Sequence, residues 1–472
     1  MKDSKVIQLL QAMNKHDLNK LTDAVHSPYF NKNERVTQLL EALIKYHPDY
    51  PEDRVNKEQL HTQLFPQAAY NDQQIRYLLS DLTKIIEQYL MLRKLEEEQI
   101  LQQHLLIKGM QDKHLTNLIP KVIDQSERQL KKYPYFDQKR YFDQFLLERD
   151  SYEYVASKRN LAIKETLHGI LSSLDYYYIT NKLKFSAELI NHTNVMAGQY
   201  EPLLLEEITG FIQREDLQEV PAIQVYYYIL QMLTHPEIES YYHALKKLLS
   251  QHLNTFPREE LNDMYIFARN YCARQINSGN TKYLREIFEL YQTLSENEII
   301  FQNGYLSQWD YKNMTAVGLR LEEYKWVNDF IEAYQYKLPP EDRENAYSYN
   351  KALYHYHLKD YDTTLELLRN VEFTDVYYHL DYKSLLVKTY YATEEFEALH
   401  SLMDTFYVYL RRNKLISDYN KESYNNFLKV VKKLIRVRYK PADKVKQLEA
   451  QVKEIRPVAN LSWIQKKLEE LS

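Results

Sequence analysis

The fold is decided by residues 311–410, YKNMTAVGLR LEEYKWVNDF IEAYQYKLPP EDRENAYSYN KALYHYHLKD YDTTLELLRN VEFTDVYYHL DYKSLLVKTY YATEEFEALH SLMDTFYVYL. A helical apolar stripe, a short turn carrying an aromatic residue and a second helical stripe recur here at a nearly fixed interval. The turn aromatics are Tyr324, Tyr361 and Phe396, spaced 37 and 35 residues apart. Such a period predicts stacked helical hairpins, each burying its apolar face only against its neighbours. Proteins of that construction bind partners more often than they catalyse.

The rhythm extends backwards. Tyr242, Tyr283 and Tyr324 lie 41 residues apart at each step. Pro257 and Pro339 each follow a turn aromatic by 15 residues, which predicts helices ending at a common offset.

This pattern resembles the tetratricopeptide-repeat family, whose unit places a small residue within its first helix, an aromatic at the turn and a closing proline. The best-fitting unit runs from Glu344 to Val371, with Ala352, the turn Lys359, Asp360, Tyr361 and Asp362, then Leu365 and Leu368. The neighbouring units offer Tyr324, Val327, Ile331 and Pro339, and Tyr390, Tyr391, Phe396, Leu399 and Phe406. Thr315 and Val387 depart from the family's small residue, the 41-residue steps are long, and closing prolines are missing after the last two units. The resemblance covers about 100 residues closely and about 210 loosely. It implies a right-handed α-superhelix and a partner-binding role.

Composition agrees with an all-α chain. Only 7 of 472 residues are Gly and 14 are Pro, against roughly 33 and 24 at average usage. The mean hydropathy of −0.61 and the lack of a long apolar run predict no membrane insertion. Met1 to Leu10 reads as a helix start rather than a signal peptide, since Asp3 interrupts it. With Cys272 alone, neither an intrachain disulfide nor a Cys-based zinc site can form; a cytoplasmic address is expected, with Cys272 a buried thiol. The 44 tyrosines are read mainly as packing wedges between helices.

Four segments are expected: an N-terminal helical bundle at 1–110, irregular hairpins at 111–205, hairpin repeats at 206–440 and capping helices at 441–472. In the first, Asn33 and Asn71 or Asp72 are predicted helix caps. An apolar stripe from Ile75 through Leu92 to Leu105 and Leu106 predicts one long helix.

Catalytic chemistry finds little support. The seven glycines never fall within ten residues of one another, so neither a phosphate-cradling loop nor a Gly-x-Ser-x-Gly elbow exists. Acid/His pairs at helical spacing occur at Asp23/His26, Glu58/His61, Glu165/His168 and Glu397/His400, but scattered over separate segments. No metal, cofactor or enzymatic activity is expected.

The expected function is a protein–protein interaction scaffold holding a peptide or partner protein on the concave, first-helix face, through Tyr349, Tyr356, Lys388 and Tyr391. The alternative is a nucleic-acid-associated regulator. It would use a helix-turn-helix-like region at Lys57–Leu92, with Gln73, Gln74, Arg76 and Tyr77, or a basic helix presenting Lys429, Lys432, Lys433, Arg436 and Arg438. Residues 411–440 hold ten Lys and Arg against Asp418 and Glu422, although the whole chain carries a net charge of −5.

Overall fold

Few punctuating residues and many good helix formers give helix almost throughout. The structure, a computed structural model, describes residues 3–157, 163–193, 203–214, 217, 220–369, 371 and 375–472. Among them are 23 α-helices and no strand; the one extended pairing is an isolated bridge between Gln302 and Tyr305. No described helix is long and apolar enough to cross a membrane. Two units are distinguished: Met1–Phe185 with Leu203–Gln224, and Ser186–Pro202 with Val225–Ser472.

In the first unit, α1 (Lys5–Gln11), α2 (Lys15–His26), α3 (Glu34–Ile44), α4 (Lys57–Leu64) and α5 (Asp72–Glu97) enclose a core including Ile7, Leu10, Leu21, Leu39, Leu43, Ile75 and Ile86. Asn14, Asn33, Asn56 and Asn71 cap α2 to α5, each side chain accepting a backbone N–H of the first turn. Each such cap contributes about 1 kcal/mol. The Tyr89 hydroxyl donates to the Asp17 carbonyl at 3.2 Å, tying α5 to α2.

The long helix expected from Ile75 to Leu106 is instead two. The backbone leaves helix at Glu98 (φ −96°, ψ 69°) and resumes in α6 (Gln99–Asp112). The break turns Ile100 and Ile107 into a second core, shared with α7 (Ile119–Lys132) and α8 (Gln138–Ser157). Leu105 and Leu106, read as part of the buried stripe, are left 49% and 46% exposed. Glu98 pairs with Lys139 of α8, and Gln102 Nε2 donates to the Leu95 carbonyl, which also accepts the Glu98 N–H. Then come α9 (Ile163–Thr193), which continues into the second unit, and α10 (Leu205–Arg214).

The second unit holds most of α11 (Pro221–Thr234), then α12 (Glu239–Gln251), α13 (Arg258–Asn277), α14 (Tyr283–Glu296), α15 (Gln308–Arg320), α16 (Tyr324–Tyr334), α17 (Arg343–His357), α18 (Tyr361–Leu368), α19 (Val376–Thr393), α20 (Phe396–Arg412), α21 (Asp418–Val437), α22 (Ala442–Glu454) and α23 (Leu461–Leu471). From α12 onward every helix packs on the next, and α15, α17 and α19 also pack on one another in series.

The three turn aromatics of residues 311–410 follow turns of one geometry. Two residues before each, a non-glycine residue adopts the left-handed conformation: Glu322 (φ 60°), Lys359 (φ 64°) and Glu394 (φ 61°). The next N–H then reaches a carbonyl five residues back: Glu323 to Gly318 at 3.0 Å, Asp360 to His355 at 3.0 Å and Glu395 to Tyr390 at 3.1 Å. This terminates the first helix of each hairpin and satisfies one of its orphan carbonyls. The same bond closes α13 from Asn280 to Gln275, but Thr281 and Lys282 then intervene before Tyr283.

Tyrosines wedge these helices apart. Tyr242, Tyr271 and Tyr283 form a buried trio with centroids 5.1–5.6 Å apart. Cys272 beside them is fully buried, and burial pushes its thiol up to about 12. Where α15 and α16 come closest the side chain disappears altogether: a Cβ on Gly318 would lie 2.5 Å from Val327 Cγ2. The position expected to be small, Thr315, is fully buried but is not this point of closest approach.

Candidate partner-binding site

The four residues expected on the first-helix face fall in two places. Tyr349 on α17 is 5% exposed, with its ring edge-on to Tyr378 at 5.1 Å. It packs within the core with Ala352 and Leu385. Tyr391 on α19 is 1% exposed, lying against Trp463 at 5.4 Å and under the Arg438 guanidinium at 4.9 Å. Neither tyrosine offers the open ring that the sequence reading gave it. Spacing places both on an inward helix face but does not say that neighbouring helices close over that face.

Tyr356 and Lys388 are partly buried and lie nearer a surface that a partner can touch. The Trp463 indole N–H donates to the Tyr356 hydroxyl at 2.9 Å, bringing α23 back to α17 across 107 residues of sequence. Trp463 also meets Phe427 at 6.0 Å, so one indole joins α17, α19, α21 and α23.

Lys388 is the unusual member. Among the described residues no ion pair or hydrogen bond reaches its ammonium. Burial lowers its pKa to about 8, with only partial relief from Asp381. His357 is lowered to about 4, first by burial and then by the charges of Lys388 and Lys466. Lys388 and Lys466 thus lie within electrostatic range of a neutral His357, next along α17 from Tyr356, whose hydroxyl Trp463 holds. Desolvating an ammonium without a counter-charge is costly, and an incoming carboxylate offsets that cost.

His357, Trp463 and Lys466 do not stand out in the sequence. Trp463 reads there as part of a capping helix, and no local pattern ties it to Tyr356.

The basic helix, α21, divides differently. Lys432 pairs with Asp404 at 3.3 Å, Arg438 with Glu394 at 2.6 Å, and Lys433 donates to Gln451 at 2.9 Å. Lys429 and Arg436 are exposed and make no ion pair among the described residues. In the first unit, the polar residues at the start of α5 are largely engaged. Arg76 pairs with Asp72 at 2.6 Å, Gln73 donates to Tyr77 at 3.0 Å, and Gln74 bonds His61 at 3.1 Å. Lys57 also holds Asp72, chiefly through a hydrogen bond that lowers its carboxyl pKa.

Among the described residues, no group of three or more His, Cys, Asp or Glu is placed to hold a metal ion. His61, one of the acid/His candidates, is buried between Phe65 and Tyr70 and bonded to Gln74. In comparisons with protein-family models, curated proteins and solved structures, none matches this chain.

Proposed function

We propose that this chain is a non-enzymatic interaction scaffold whose second unit is a right-handed superhelix of tetratricopeptide-like hairpins. It takes an acidic segment of a partner protein at Lys388. Support for the repeat comes from the three turns of one geometry and from the α15, α17, α19 series. The observation that carries the binding role is that the partly buried Lys388 ammonium makes no ion pair or hydrogen bond among the described residues, Asp381 offsetting its burial only in part.

The test is selection of peptides from a random displayed library on the purified full chain. Acidic segments are expected to be enriched, and Lys388→Met with Lys466→Met to abolish that enrichment while the helical content is unchanged. Peptides selected without acidic bias, or equally by the variant, would defeat the reading.

The nucleic-acid reading keeps one observation in its favour. Lys429 and Arg436, both free of acidic partners among the described residues, lie seven residues apart on α21. That places them on one helix face about 10 Å apart. It requires retardation of DNA or RNA in a gel that fades steeply with added salt; no retardation at low ionic strength ends it.

A further inference from the structure

Lys388 is not the only unpaired lysine on α19. Nine residues before it, and therefore half a turn round the helix, stands His379, with Lys383 one turn further along the same side. Opposite them, α20 presents Thr405, Val408, Tyr409 and Arg412, spaced so that all four share one face. With Asn413 these side chains line a shallow, open groove of about 480 Å³. That volume suits a small ligand or one large side chain.

The lining has a definite chemical character. It contains two cations and no carboxylate. Neither Lys383 nor Arg412 makes an ion pair among the described residues. Two acids lie nearby: Asp375 caps α19 through the Tyr378 N–H at 2.8 Å while its charge still reaches Tyr409, and Asp404 pairs with Lys432. The groove's floor is largely aromatic, because the His379 ring packs against Tyr409 with centroids 4.4 Å apart and planes tilted by 34°. Val408 adds an exposed aliphatic edge. Asn413 turns its amide to the Tyr409 hydroxyl at 3.3 Å, fixing the ring's tilt.

We propose that this groove binds an oxyanion, carboxylate or phosphate, carried on a planar apolar body. The body packs on His379, Tyr409 and Val408, while the oxygens face Lys383 and Arg412. A guanidinium and an ammonium together match either oxyanion, Arg by its planar fork and Lys as a point charge. Burial lowers the pKa of Lys383, and burial together with Lys383 lowers His379 to about 4. The imidazole is therefore neutral at pH 7, and its face serves as a stacking surface. The site lies on the opposite side of α19 from Lys388 and does not depend on that proposal.

Calorimetric titration of the full chain at pH 7 with phenyl phosphate, benzoate, inorganic phosphate and phenol tests this. At least one aryl oxyanion is expected to bind, and phenol is not. Inorganic phosphate should be weaker than phenyl phosphate by about tenfold or more if phosphate is the group recognised. Binding of benzoate alone identifies a carboxylate as that group. Arg412→Gln, at an exposed position, and Lys383→Met, which keeps the aliphatic stem, should each weaken the bound probe about tenfold or more. Absence of heat with both aryl oxyanions up to about 10 mM would overturn the proposal. So would binding of phenol as tight as that of the oxyanions, or unchanged affinity in a helically intact Lys383→Met, Arg412→Gln double variant.

Discussion

Gly318→Ala separates helix propensity from packing between α15 and α16. In an isolated helix, alanine is better than glycine by about 1 kcal/mol. In α15 the new Cβ would sit 2.5 Å from Val327 Cγ2, with Trp326 Cε3 at 3.4 Å and Phe288 Cε2 at 3.5 Å. Carbon atoms attract only from roughly 3.5 Å outward, so α15 and α16 must part by about 1 Å. Overpacking of that kind costs about 1–3 kcal/mol, and the Trp326 and Phe288 rings block relief on the other sides. The balance is a net loss of up to roughly 2 kcal/mol. Denaturant unfolding followed by tryptophan fluorescence and circular dichroism measures it. Val327→Ala removes the clashing methyl, so the double variant should show a favourable coupling of about 1 kcal/mol or more. A stabilised Gly318→Ala protein, or additive single effects, would refute the close approach.

Other consequences follow from the same contacts. The unfolded chain protonates His357 and His379 near the ordinary 6.5, whereas the folded chain does so near 4. Stability present above pH 6.5 is therefore lost as pH falls towards 4, by up to roughly 3 kcal/mol for His357 alone. Unfolding curves across that window should flatten in His357→Gln; an unchanged pH dependence would place the imidazole in water. Lys359→Gly should stabilise by about 0.5–1 kcal/mol by relieving a left-handed conformation. The matching Glu394→Gly should not, because Glu394 also accepts from Arg438 and Tyr439, both at 2.6 Å. Equal gains at both positions, read by thermal unfolding, would show that those contacts contribute nothing.

The sequence made the rhythm of the second unit legible because turn chemistry is local. A terminating turn two residues ahead of Tyr324, Tyr361 and Phe396 leaves a mark within a few positions. Two of the four Asn caps of the N-terminal bundle, Asn33 and Asn71, are legible for the same reason, one side chain meeting one nearby N–H; Asn14 and Asn56 do not stand out in the sequence. Two kinds of feature escaped. The break at Glu98 interrupts a stripe whose apolar period continues unbroken; it becomes visible only once Lys139 and the core of α6 to α8 are in place. The close approach at Gly318, rather than at Thr315, depends on the pitch at which α16 crosses α15.

The site was legible only in part. Helical spacing picks Tyr349, Tyr356, Lys388 and Tyr391 as inward-facing, yet inward includes both core and cleft. The deciding contacts come from α23, whose Trp463 meets Tyr391 and Tyr356 from far along the chain. The pairing of His379 with Tyr409 is likewise a contact between helices, which neither helix records alone.

On the proposed reading, Lys388 makes no ion pair among the described residues because an acidic partner completes one. The most direct measurement is the affinity of a selected acidic peptide for the wild-type chain and for Lys388→Met, at low and moderate salt. A loss of about tenfold or more in the variant, shrinking as salt rises, is the expected result. Equal affinity at both salt concentrations would contradict it.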